Sequence, residues 1–106
     1  MMDQNEVVDK VQDILSGYGY SYRLRVGNAP DGRYVWITPL NSGYDMKVGR
    51  DGSACVWFFE GGLEYVIRMR YDDLLDWLPG ALEDELITEH DKGEKRELRK
   101  MRREYV

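Results

Sequence analysis

Two glycine turns constrain this chain more than any other feature. Asp51-Gly52 separates the segments 44–50 and 53–60, and Gly61-Gly62 separates 53–60 from 63–70. Linkers of two residues can join only antiparallel neighbours, because a parallel pair needs a crossover of a dozen or more residues. Three consecutive segments must therefore fold back on one another as a meander. Upstream, Tyr20, Tyr22, Leu24 and Val26 alternate with Ser21, Arg23 and Arg25, the period of a strand with one wet face. A turn-rich loop over 27–33, a strand over 34–38 and a loop over 39–43 complete an expected five-stranded antiparallel sheet.

Tight turns also set register. A type I′ turn at Asp51-Gly52 places Val48 opposite Cys55, Met46 opposite Trp57 and Tyr44 opposite Phe59. The turn at Gly61-Gly62 places Phe58 opposite Tyr65 and Val56 opposite Ile67. Extended through the longer loops, this pairing gathers Tyr22, Leu24, Val26, Tyr34, Trp36, Met46, Val48, Trp57 and Phe59 on one face. The other face then carries Arg23, Arg25, Asp45 and Lys47 beside an apolar set, Ala54, Val56, Phe58, Tyr65, Ile67 and Met69.

Helices flank the meander. Val7, Val8, Val11, Ile14 and Leu15 share one helical face, with Asp3 as N-cap, Glu6 at N3 and Gly17 as the left-handed stop. This helix is expected to cover the aromatic face. Leu74, Leu75, Leu78, Leu82 and Leu86 form a second stripe, expected to cover strands four and five on the other side of the sheet. Pro79-Gly80 predicts a kink or a split there, and Lys92-Gly93 a break before a basic last helix. The fold class is α+β: an N-terminal helix, a five-stranded antiparallel meander, then two to three C-terminal helices. Residues 1–91 are expected to form one domain, with 92–106 docked on it or frayed.

Charge is split along the last third of the chain. Residues 71–91 hold eight carboxylates and no Lys or Arg, whereas 92–103 hold seven cations against two glutamates. Residues 1–90 carry 16 acids and 8 bases, so the body repels a phosphate backbone at long range. Eight carboxylates on a helix rising ~1.5 Å per residue come about every 3.7 Å. That is close to the ~3.4 Å phosphate repeat of one nucleic-acid strand. Exposed helices usually interleave opposite charges, because like pairs at i,i+4 cost stability. Asp72, Asp73, Asp76, Glu83, Asp84 and Asp91 are therefore the candidate partner-binding residues. The bland alternative is a solvated face that aids solubility.

Other chemistries find little support. Cys55 is the only thiol, which excludes an intrachain disulfide, and His90 is the only histidine. No third group completes a Cys–His pair, and Cys55 is expected in the core. Zinc lacks its three or four N or S ligands, and the acidic pairs lack a calcium-loop pattern. Neither glycine pair opens a helix, as a phosphate-cradling loop would. Trp36, Trp57, Phe59 and Tyr34 could stack bases beside arginines only if the first helix left them bare; the core assignment is preferred. No catalytic residue, metal or cofactor is expected. An acidic, polar start without an apolar run of membrane length points to a cytoplasmic protein without membrane attachment.

The expected function is a non-enzymatic protein-binding module. Its acidic helix would occupy the basic nucleic-acid channel of a larger partner, a nuclease or another nucleic-acid-binding protein. In size, acidity and helix–meander–helix order the chain resembles the small acidic inhibitors that phages and mobile elements use against restriction or CRISPR systems, which implies inhibition by nucleic-acid mimicry. Two alternatives stand beside it. One is a nucleic-acid-binding accessory protein using Arg96, Arg99, Lys100, Arg102 and Arg103. The other is a homodimeric chaperone or adaptor joined through strands four and five.

Overall fold

The computed structural model describes residues 2–60 and 62–90, except for the side chains of 59, 60 and 85–90. The elements run α1 (Gln4–Gly17), β1 (Tyr22–Ala29), β2 (Gly32–Pro39), β3 (Tyr44–Val48), β4 (Ser53–Glu60), β5 (Leu63–Arg70) and α2 (Tyr71–His90). The strands form one antiparallel sheet in sequence order, so the meander and the α+β class hold. One helix follows the sheet among the described residues. The expected last helix, with the break at Lys92-Gly93, lies outside them.

Helix α1 begins as its sequence dictates. Asp3 is the N-cap, and its carboxylate accepts the Glu6 N–H at 2.9 Å. The end differs from expectation. Gly17 is still helical, and the left-handed residue is Gly19, at φ 78°. The Tyr20 N–H bonds the Leu15 carbonyl and the Gly19 N–H bonds that of Ser16, a Schellman closure with glycine at C′. Between β1 and β2, the loop expected over 27–33 shrinks to Pro30-Asp31, because both strands extend inward until Ala29 pairs with Gly32.

The decisive correction lies at the β3–β4 turn. Its loop has three residues, Arg50, Asp51 and Gly52, closed by the Gly49 N–H donating to the Ser53 carbonyl at 3.0 Å. Only Gly52 takes positive φ, at 85°. Asp51 instead uses its carboxylate locally, accepting from the Ser53 hydroxyl at 2.8 Å and the Ser53 N–H at 3.3 Å. Such a loop, rather than a type I′ turn, shifts the pairing by one residue. Val48 now faces Ala54, Met46 faces Val56 and Tyr44 faces Phe58. A one-residue shift exchanges the faces of everything beyond it. The Gly61-Gly62 turn keeps its expected register, with Phe58 opposite Tyr65 and Val56 opposite Ile67.

The two apolar half-faces therefore merge into one. Val35, Ile37, Met46, Val48, Ala54 and Val56 form the sheet's share of a single core. Both helices lie on that side: Val7, Val11 and Leu15 from α1 and Leu74, Leu78 and Leu82 from α2 have no exposed surface. Each such side chain stabilises the fold by about 1.5–3 kcal/mol through burial. Strand β2 is also turned from expectation: Leu24 and Met46 face Ile37, and Val26 and Val48 face Val35. Tyr34 and Trp36 therefore join Trp57 on the side that α1 does not cover, and α2 does not cover a second face. Among the described residues the result is two layers, with both helices on one side of the sheet and no element on the other. Helix α2 runs unbroken through Pro79.

Buried hydrogen bonds pin the layers. Gln4, buried at the start of α1, donates through Nε2 to the Arg33 carbonyl at 2.7 Å and the Val48 carbonyl at 3.1 Å. The Tyr71 hydroxyl donates to the Gly49 carbonyl, and its N–H bonds the Gly52 carbonyl at 3.1 Å. The start of α2 is thereby fastened to the β3–β4 loop that sets the register.

Candidate functional site

Charge is sorted by layer. The segments of α1 and α2 hold ten acidic residues and a single cation, Lys10. The five strands hold six cations and three acidic residues. The helices need their inner faces for the core, so their charges are turned outward. Asp72, Asp73, Asp76, Glu83 and Asp84 are all exposed, opposite the buried Leu74, Leu78 and Leu82. Glu6, Asp9 and Asp13 of α1 are exposed on the neighbouring helix. At the seam, the Tyr18 hydroxyl donates to Glu83 Oε1 at 2.6 Å. That bond to a carboxylate is the main cause that raises the Tyr18 phenol above its ordinary value. Two helices distant in sequence thus pool one anionic layer; the α1 carboxylates were not singled out from sequence because the layer joins segments far apart in the chain, as the Tyr18–Glu83 bond does across 65 residues.

Asp91 and the basic residues Arg96, Arg99, Lys100, Arg102 and Arg103 lie outside the described residues. His90 closes α2, and nothing is described of its side chain.

The open sheet face is the second surface, and it holds residues that the sequence placed in the core. One cross-strand row reads Arg25, Trp36, Lys47, Cys55, Arg68, each paired with the next. In the adjacent row, Trp57 lies between Asp45 and Val66. The Trp36 and Trp57 rings meet with centroids 4.7 Å apart and planes tilted by 41°. The Arg25 guanidinium lies 5.6 Å from the Trp36 centroid, and Lys47 Nζ lies 4.3 Å from that of Tyr34. Tyr34 can lie flat only because Gly27 stands opposite it; a Cβ there would sit 2.4 Å from the Tyr34 ring. Cys55, expected in the core, is half-buried on this outer face instead. Asp45 is engaged by the Thr38 hydroxyl at 2.7 Å and by Arg25 at 4.0 Å.

Both edge strands overhang the helical layer. Leu24 and Val26 on β1 and Tyr65 and Ile67 on β5 remain between 41% and 64% exposed on that side, and Val66, opposite Trp57, is 52% exposed on the open face. Among the described residues, no helix is long and apolar enough to cross a membrane.

Fold and surface together define a two-layer α+β domain with an acidic helical layer and a basic, aromatic sheet face. Comparison with protein-family models, with curated proteins and with solved structures finds no match.

Proposed function

We propose that this protein is a non-enzymatic binding module that presents its acidic helical layer to a larger basic partner, and that the partner surface is a nucleic-acid channel. One observation carries the reading: the carboxylates of α1 and α2 are pooled on one rigid layer whose described charges include Lys10 alone as a cation. Charges fixed on packed helices cost little ordering on binding, so an array of this kind can stand in for phosphates. Asp72, Asp73, Asp76, Glu83 and Asp84 form the centre of the surface, with Asp91 beyond the described chain, and Glu6, Asp9 and Asp13 extend it. The role that follows is inhibition by occupying the site where nucleic acid would bind, as the small acidic proteins of phages and mobile elements do.

The test compares the wild-type chain with the Asp73→Asn, Asp76→Asn, Asp84→Asn variant. Partners captured by wild type from a nuclease-treated extract are purified and assayed for oligonucleotide binding. Wild type should displace the oligonucleotide and the variant should not, while both keep the same thermal midpoint. Equal displacement by the two proteins refutes the proposal.

A further inference from the structure

The helical layer leaves the other side of the molecule unexplained. That side holds three half-buried aromatic rings and a row of cations in a protein whose overall charge is negative. From the cross-strand pairing and the geometry of this face, we infer that the open sheet face is a binding site for single-stranded nucleic acid, independent of the acidic layer and its partner.

The row Arg25, Trp36, Lys47, Cys55, Arg68 crosses all five strands. Its cations stand on alternate strands, hence about 10 Å apart at the usual strand spacing. Arg23 and Arg70 add cations on the same face by register. The anions there are Asp45, already held by Thr38 and Arg25, Glu64, and Asp51, which pairs with Arg68 at 2.9 Å. Five cations thus stand against three carboxylates, and Arg23, Lys47 and Arg70 form no ion pair among the described residues. The face is therefore positive within a negative molecule, which is charge complementarity for phosphate.

The rings decide between phosphate ligands. Cations alone would suit a duplex or any polyanion. Here the rings of Trp36, in the row, and Trp57, in the next, meet near the middle of the face, and Tyr34 lies under Lys47. Arg25 and Lys47 rest against these rings, where each can swing to a phosphate while a base takes its place on the ring. Sheets that recognise single strands stack two or three bases on aromatic side chains in this manner. A duplex keeps its base faces hidden, so it offers the rings nothing. A protein partner with an acidic patch would satisfy the cations without using the Trp pair.

The test uses the full chain and a fluorescent oligothymidylate, followed by anisotropy at low salt. The Trp77→Phe background removes the third indole, which packs edge-on against Tyr44 at the margin of the core, so emission reports Trp36 and Trp57 alone. Binding should quench that emission, and a duplex of the same length should bind at least about tenfold more weakly, since stacked bases supply much of the affinity. Affinity should fall steeply with added salt. The Arg25→Gln, Lys47→Gln variant should lose about tenfold or more in affinity. A second variant, with Arg96, Arg99, Lys100, Arg102 and Arg103 all changed to Gln, should still quench. The inference is overturned by no anisotropy change at low salt, by binding without quenching, or by binding that the tail substitutions abolish and the Arg25 and Lys47 substitutions leave intact. Equal affinity for the duplex also overturns it.

Discussion

At the scale of single residues, the fold turns on how Asp51 and Gly52 divide the work of one hairpin. Asp51 keeps a carboxylate bond to Ser53, and Gly52 alone adopts the left-handed conformation. Gly52→Ala should destabilise the protein by about 1–2 kcal/mol, the cost of that conformation for a residue with a Cβ, measured by urea denaturation. The Asp51 carboxyl is held below its ordinary value, first by the Ser53 hydroxyl, with the Ser53 N–H and Arg68 adding to it. A carboxyl whose folded value is depressed stabilises the fold above its unfolded value, and that contribution disappears as pH falls through the folded one. Asp51→Asn should therefore flatten the decline in stability below about pH 4, seen in thermal midpoints across an acid series. Gly27 shows a different constraint. Its missing Cβ makes room for the Tyr34 ring, so Gly27→Ala should displace that ring from under Lys47 and alter tyrosine shifts in NMR spectra.

At the scale of elements, α2 combines a strong inner face with a weak backbone. Leu78 has no exposed surface, and Leu78→Ala should cost about 2–5 kcal/mol, the range for opening a cavity in a packed core. Gly80 lies in the helix, is exposed, and has nothing within 4 Å of where a Cβ would stand. Gly80→Ala should stabilise the protein by about 1 kcal/mol, the difference in helix propensity, read as a higher urea midpoint at unchanged slope. The leucine stripe, the Asp3 cap and the strand spans 53–60 and 63–70 were legible in the sequence, because each depends on neighbours within a few residues. The continuity of α2 through Pro79 was not. Local propensity argues for a break, and packing of Leu74, Leu78 and Leu82 against sheet and α1 outweighs it.

At the scale of the whole molecule, the one-residue shift at the β3–β4 loop and the turned face of β2 together give a two-layer domain in place of a covered sheet. It brings the carboxylates of α1 and α2 onto one layer and leaves Trp36, Trp57 and Arg25 on the other. The two surfaces predict separable behaviour. Asp73→Asn, Asp76→Asn, Asp84→Asn should affect partner displacement and leave oligothymidylate quenching unchanged within about twofold, since the substituted charges lie across the molecule and beyond a Debye length of ~10 Å at 0.1 M salt. A parallel titration of both ligands with both sets of variants checks this.

The sequence by itself determined the antiparallel meander, the apolar stripes of the helices and the outward arc of acids on α2. Those follow from turn length and from periodicity, which act over short stretches of chain. Only the tertiary structure decided which side of β2, β3 and β4 became the core. Both sides of these strands are apolar enough to be buried: Ile37 and Val56 on one, Trp36 and Trp57 on the other. Alternation alone could not choose between them. The choice fell to a three-residue loop at Arg50–Gly52 and to two helices whose small valine and leucine faces pack closely on Ile37, Met46, Val48 and Val56. The larger indoles, which tolerate a wet edge, were left facing solvent among cations.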